Sequence, residues 1–91
     1  MIFIITIDLK ARRTLLGMKQ AEIASLIGIT YQQYQKYEYD KIKPNLSRFL
    51  EISNILQVPN NITADTLMID YDIINYEEAV RIIKEHKLKQ S

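Results

Sequence analysis

The amino-acid sequence predicts a mainly α-helical fold, and three observations support this prediction. Apolar side chains recur with helical spacing between residues 8 and 58. Residues that cap helices stand before these segments, and glycine or proline stands after them. The chain has 91 residues, of which 47% are apolar and 25% charged, as in an ordinary folded domain. We therefore expect residues 1–91 to form one domain, with a helical core at 8–69 and terminal extensions at 1–7 and 70–91 that are candidates for dimerisation.

The first predicted helix begins after Asp8, whose carboxylate can accept hydrogen bonds from free backbone N–H groups. It runs to about Leu16. Gly17 follows, and glycine readily adopts the left-handed conformation that closes many helices.

The next two helices are predicted at 20–27 and 31–38. Only Gly28, Ile29 and Thr30 separate them. Thr30 can cap the second of these helices, and Gly28 suits a turn that is too tight for a bulky side chain. Two short helices joined by such a turn form a helix-turn-helix, here at 20–38.

After this motif the sequence predicts a loop and two more helices. Pro44 excludes a helix from residues 40–45. Ser47 is predicted to cap a fourth helix that runs to about Gln57. A short fifth helix is predicted after Thr63.

The two ends of the chain predict a small sheet and a further helix. Apolar residues alternate with aspartate in 68–74, a pattern typical of a half-buried strand, and residues 2–7 are also rich in β-forming side chains. A lone strand is unstable, so we expect these segments to pair, within one chain or between two copies. A last helix is predicted at 76–87, where Asn75 and Glu78 have the spacing of a capping box.

The helix predicted at 31–38 has two chemically different sides. At about 100° per residue, Tyr34 and Tyr37 share one side, and we expect them in the core. The other side carries amides, a cation and a phenol, at Gln32, Gln35, Lys36 and Tyr39. Glutamine can pair with adenine in the major groove of DNA, and lysine can reach guanine or a phosphate. A solvated helix surface could carry the same residues, but in a helix-turn-helix this side faces the groove.

Four motifs stand at fixed spacing in the first two-thirds of the chain: Arg-Arg-Thr-Leu-Leu-Gly-Met-Lys-Gln-Ala-Glu-Ile-Ala, the Gly28 turn, Tyr-Gln-Gln-Tyr-Gln-Lys-Tyr-Glu, and Lys43-Pro44. On these motifs, residues 9–58 resemble the lambda-repressor/Cro-like (XRE) family of bacterial and phage regulators, in the branch common in alphaproteobacteria. The resemblance implies a five-helix domain that binds a two-fold DNA operator as a homodimer. The chain departs from the family at Tyr39-Asp40, where glycine or asparagine is usual, and the resemblance does not extend to residues 1–7 and 68–91.

Together, the resemblance and the side-chain chemistry predict the functional residues. The residues expected to read bases are Tyr31, Gln32, Gln35 and Lys36. Those expected at the DNA backbone are Lys19, Gln20, Tyr39, Lys41 and Lys43. The resemblance also implies an ion pair between Arg13 and Glu38 that braces the first helix against the third, the alternative being two independent surface charges.

Composition makes an enzyme unexpected. The chain has no cysteine, one histidine and two glycines, which leaves no thiolate nucleophile, no zinc site and no phosphate-cradling loop. We expect no catalytic residue, no metal and no cofactor. The apolar run at 1–7 is far shorter than the ~20 residues of a membrane span, and it lacks the features of a signal peptide. We therefore expect a cytoplasmic, nucleoid-associated protein without a membrane partner.

The distribution of charge agrees with a nucleic-acid partner. Residues 1–58 carry eight basic and five acidic side chains, whereas residues 59–91 carry four and six. The sequence thus predicts a sequence-specific regulator, a repressor, that binds double-stranded DNA as a homodimer. Two alternatives remain: an antitoxin whose terminal segments bind a toxin, and a protein-interaction module that does not bind DNA.

Overall fold

The computed structural model describes residues 7–90, with side chains up to residue 89, and this part of the chain contains six helices and no β-strand. The helices are α1 (Leu9–Leu15), α2 (Gln20–Leu26), α3 (Tyr31–Glu38), α4 (Leu46–Ile55), α5 (Asn60–Asp70) and α6 (Tyr76–Gln90). The predicted helical fold with a further C-terminal helix is confirmed.

Three of the predicted caps are present. The Asp8 carboxylate accepts a hydrogen bond from the Ala11 N–H at 3.0 Å, and the Thr30 hydroxyl accepts one from the Gln33 N–H at 3.1 Å. The Asn75 side chain accepts one from the N–H of Glu78 at 2.8 Å, at the start of α6.

The predicted cap of α4 is wrong. Asn45, and not Ser47, begins this helix: its side chain accepts a hydrogen bond from the Arg48 N–H at 2.8 Å. Asn45 has the extended backbone of a cap residue, and asparagine caps helices at least as well as serine. The helix therefore starts two residues earlier, and Ser47 lies exposed in its first turn.

The predicted short helix after Thr63 is also corrected. α5 begins at Asn60, directly after Pro59, and contains Thr63 in its interior. The Thr63 side chain is buried, and its hydroxyl lies 2.8 Å from the hydroxyl of Ser53 on α4. This buried pair joins the two helices, which explains why threonine stands inside α5.

The predicted strand at 68–74 is wrong, and its predicted partner at 2–7 lies outside the described residues except for Ile7. Residues 68–70 end α5, and residues 71–75 form a loop. Asp72 has a φ of 55°, a left-handed conformation outside the β region. The side chain of Tyr71 turns back on the helices, where its ring lies 5.1 Å from that of Phe49 and its hydroxyl donates to the Pro44 carbonyl at 2.7 Å.

The hydrophobic core lies between the helix-turn-helix and the C-terminal helices. Its largest fully buried apolar side chains come from α2 to α5 and the residue after α4: Ile23, Tyr34, Phe49, Ile52, Leu56 and Leu67. Helix α6 packs on α4 and α5 through Ala79 and Ile83. This packing holds α2 and α3 as a rigid unit.

Helices α2 and α3 meet through a small residue and a tight turn. Ala24 is 2% exposed, and its carbonyl accepts a hydrogen bond from the N–H of Ile29 at 3.0 Å. Gly28 has a φ of 72°, which an L-residue adopts only at a cost in free energy. The turn therefore fixes the angle at which α3 leaves α2, as the sequence predicts.

Candidate nucleic-acid interface

Helix α3 has one buried side and one open side. Tyr34 and Tyr37 are 0% and 7% exposed, and their rings meet edge to face with centroids 6.5 Å apart. Gln32 and Lys36 are exposed, and Tyr31 is 43% exposed. The buried tyrosines thus anchor the helix, and the amide and the ammonium group project from its free side.

The structure brings Arg13 and Glu38 together across α1 and α3. Arg13 Nε lies 2.5 Å from Glu38 Oε2, and Arg13 Nη2 donates to Oε1 at 3.2 Å. The third donor of the guanidinium, Nη1, reaches the Met18 carbonyl at 2.9 Å. The Glu38 side chain has no exposed surface and that of Arg13 only 13%, so this is a buried, two-pronged ion pair.

The ion pair continues into a line of amides. Gln20 Nε2 donates to Glu38 Oε1 at 2.9 Å, and Gln20 Oε1 accepts from Gln35 Nε2 at 3.3 Å. Gln35 Nε2 also donates to the Tyr31 hydroxyl at 2.7 Å. Residues predicted separately for bases and for backbone are therefore joined in one network.

The electrostatics of this network centre on the Glu38 carboxylate. Burial alone would raise the pKa of Glu38, but the hydrogen bonds from Arg13 and Gln20 and the Arg13 charge outweigh burial and lower it below its ordinary range. The hydrogen bond that Arg13 donates to Glu38 likewise raises the pKa of Arg13. Burial, together with the Glu38 charge, raises the pKa of Tyr34 far above its ordinary value. Near neutral pH the site holds one fixed carboxylate and one fixed guanidinium.

An open cleft of about 440 Å³ lies beside this network. Its walls combine three cations, two phenols and an amide with one small apolar residue: Lys10, Arg13, Lys19, Gln20, Ala21, Tyr31 and Tyr39. Such a set of donors suits a phosphate oxygen. Lys10 is absent from the residues predicted for the backbone, although its place three residues before Arg13 on α1 puts both on one face.

The two lysines after α3 differ in their surroundings. Lys41 is exposed. The Lys43 ammonium donates to the Asp70 carbonyl at the end of α5 and lies 4.4 Å from the centre of the Tyr71 ring. In this structure the Lys43 ammonium is turned toward α5 although the residue is exposed, and its contact with the DNA backbone stays a prediction.

Two arginines of the basic half of the chain have structural partners. Arg12 donates from Nε to the Leu56 carbonyl at 2.9 Å and from Nη2 to the Gln57 carbonyl at 2.7 Å. Arg48 donates to the Ile27 carbonyl at 2.9 Å. These cations satisfy carbonyls at the ends of α4 and α2, so they support the fold that carries the site.

Within residues 7–90, no group of three histidine or acidic side chains is arranged to hold a metal ion. None of the six helices is both long and apolar enough to cross a bilayer. Helix α3, the cleft and the network between them bring polar and charged side chains together on one surface.

A helix-turn-helix family model matches residues 9–59, more than half of the chain. An uncharacterized HTH-type transcriptional regulator of the alphaproteobacterium Sinorhizobium medicae is 47% identical over 51 residues, which cover 56% of this chain and 37% of that protein. An uncharacterized SPbeta prophage-derived HTH-type regulator of Bacillus subtilis is 46% identical over 50 residues, 55% of this chain and 46% of that protein. The matched stretch thus spans less than half the length of these relatives. No solved structure matches the chain.

Proposed function

Because the chain belongs to the XRE-type helix-turn-helix family, we propose that it is a DNA-binding transcriptional regulator that inserts α3 into the major groove. The observation that carries this proposal is the free side of α3. It presents Gln32 and Lys36 to solvent, while Tyr34 and Tyr37 fix the opposite side in the core. A rigid helix with exposed amide and ammonium groups is suited to reading base edges.

Gln32 and Lys36 are assigned to base reading. Their positions differ by four residues, so they lie on the same face of α3, one turn apart. The amide of Gln32 can pair with the N6 and N7 atoms of adenine, and the Lys36 ammonium can donate to guanine. Tyr31 and Gln35 complete this reading face at the start and middle of the helix.

The cleft beside α3 is assigned to the DNA backbone. Lys10, Lys19 and Tyr39 line it, and their donors can bind phosphate oxygens while α3 occupies the groove. Lys41, exposed just after α3, is assigned to a neighbouring phosphate. These contacts carry no sequence information, but they fix the register of the protein on the duplex.

Two subunits are proposed to bind a two-fold operator and to repress transcription by excluding other proteins from it. An apolar groove between α1 and the start of α5 supports dimerisation, since its walls include Leu15 at 72% exposure and Ile62 at 42%. Leu15→Lys with Ile62→Lys should convert a dimer to a monomer in light scattering, whereas Leu88→Lys, at an equally exposed leucine, should not. A monomeric parent would contradict this part of the proposal.

The proposed function is tested by selection from a random duplex library, sequenced at low and near-physiological salt. We expect the parent to enrich a motif with two-fold symmetry and the double variant Gln32→Ala/Lys36→Ala to lose it. Binding that disappears with salt and enriches no sequence would mean attraction to the backbone only. That result would contradict the proposal and favour a protein partner.

A further inference from the structure

Five side chains form a continuous hydrogen-bonded line from α1 to the reading face of α3. The line runs from the Arg13 guanidinium to the Glu38 carboxylate, then through the amides of Gln20 and Gln35 to the Tyr31 hydroxyl. Its links measure 2.5, 2.9, 3.3 and 2.7 Å. The line begins at a guanidinium and a carboxylate whose side chains are 13% and 0% exposed, and it ends at Tyr31, which is 43% exposed.

The direction of every hydrogen bond in this line follows from its buried end. An ionised carboxylate can only accept, so the Gln20 atom that faces Glu38 must be the amide nitrogen. The other amide atom of Gln20, its carbonyl oxygen, then faces Gln35, which must present its own nitrogen. Rotating either amide by 180° would place two acceptors against each other.

The hydrogen-bonded line therefore fixes which donor and which acceptor Gln35 and Tyr31 present on the reading face. Both hydrogens of the Gln35 amide are committed, one to Gln20 and one to Tyr31, so Gln35 offers the groove only its carbonyl oxygen. The Tyr31 hydroxyl already accepts from Gln35, which leaves its own proton to be donated outward. The Gln35 carbonyl oxygen, an acceptor, and the Tyr31 hydroxyl, a donor, thus lie next to each other, although their residues are one helical turn apart.

We infer that the buried Arg13–Glu38 pair sets the base specificity of the protein, by locking Gln35 as a hydrogen-bond acceptor and Tyr31 as a donor toward the major groove. This inference rests on the proposed DNA-binding function. Adenine is the base that offers an acceptor, N7, beside a donor, N6, and cytosine offers a donor alone. Guanine and thymine offer Gln35 no donor there. Glu38 and Gln20 act here as positioning residues, because they determine what Gln35 presents without touching the base.

The first arm of the test examines the free protein by NMR, with the side-chain amides labelled with ¹⁵N. In the parent, the Gln35 amide protons should be protected from exchange and show contacts to the Tyr31 ring and to Gln20. Gln20→Met removes one link and leaves the Arg13–Glu38 pair, and it should return the Gln35 amide to the signals of an exposed glutamine. Gln33→Met is the matched control, because Gln33 lies on the same helix and bonds Tyr37 outside the line. A Gln35 amide that exchanges freely in the parent would overturn the inference.

The second arm repeats the library selection with the parent, Gln35→Met and Gln20→Met. The operator position whose preference disappears in Gln35→Met should carry adenine or cytosine in the parent. Gln20→Met should reduce that preference about fivefold or more while the other positions keep theirs. Guanine or thymine at that position, or an unchanged preference in Gln20→Met, overturns the inference. If the parent enriches no motif, the proposed function fails, whereas the NMR arm still decides whether the hydrogen-bonded line exists.

Discussion

Breaking the Arg13–Glu38 ion pair should destabilise the protein severely when one partner is removed, and removing both should cost less than the sum of the two single losses. Arg13→Met leaves a carboxylate with no exposed surface and only the uncharged Gln20 and Tyr34 beside it, and Glu38→Gln leaves a guanidinium only 13% exposed. Removing one member of a buried pair costs about 3–5 kcal/mol, because the remaining charge is buried without its counter-charge. Small domains have only about 5–15 kcal/mol of stability, so each single variant should lose a large share of it.

The assay is a double-mutant cycle by urea denaturation at neutral pH. The double variant Arg13→Met/Glu38→Gln should be less destabilised than the sum of the single variants, by about 1–3 kcal/mol. Arg81→Met and Glu85→Gln provide the matched control, with the same residue types and a 2.6 Å contact on the surface of α6. That exposed pair should show no resolvable coupling. Additive losses at Arg13 and Glu38 would refute the reasoning.

The pH dependence of the same variants gives an independent check. The pKa of Glu38 is lowered in the folded protein, so the unfolded chain binds more protons in the acid range. The stability that Glu38 contributes is fully present above its unfolded pKa of about 4.3 and is lost as pH falls through the lower folded value. The gap in unfolding free energy between the parent and Glu38→Gln should therefore narrow below about pH 4. A gap that is constant down to pH 2 would contradict an ionised Glu38.

Three further predictions concern the turn, the core and the backbone contacts. Gly28→Ala should lower the free energy of unfolding by about 1–2 kcal/mol, because alanine adopts the left-handed backbone at a cost. The added methyl group meets no atom within 4 Å, so no steric clash contributes. An unchanged urea midpoint would contradict this. Leu56→Ala, at a fully buried position, should lower the free energy of unfolding by about 2–5 kcal/mol. Leu88→Ala, at a 73% exposed position, should change it by no more than about 0.5 kcal/mol. Equal losses would refute the core assignment. Lys41→Ala should reduce the slope of log affinity against log salt concentration by about 1, whereas Lys43→Ala should leave this slope unchanged. A reduced slope for Lys43→Ala and an unchanged one for Lys41→Ala would mean that Lys43 leaves α5 to bind DNA.

The helix-turn-helix could be predicted because its signals are local. Thr30 and Gly28 fix the ends of α3 and α2, and the three-residue spacing of Tyr34 and Tyr37 places both in the core. Each of these features depends on neighbours within one or two helical turns. The caps, the turn and the buried side of α3 follow directly from them.

The loop after α5 and the partners of Lys43 and Gln20 could not be predicted in the same way, because they depend on distant contacts. The alternation of apolar residues around Tyr71 is typical of a strand, but this ring packs on Phe49 and its hydroxyl bonds the Pro44 carbonyl. Lys43 is a free cation in the sequence and becomes a partner of α5 only in the fold. The pairing of Gln20 with Gln35, 15 residues apart, likewise requires the angle between α2 and α3.

The most direct test of the central claim is an NMR titration of the ¹⁵N-labelled protein with a duplex that carries the selected motif, at near-physiological salt. The account predicts that the largest changes fall on the free side of α3, at Gln32 and Lys36, and on the cleft residues Lys19 and Tyr39. Signals of α6 should stay in place. Changes confined to α5 and α6, with the α3 signals unmoved, would contradict the insertion of α3 into the groove.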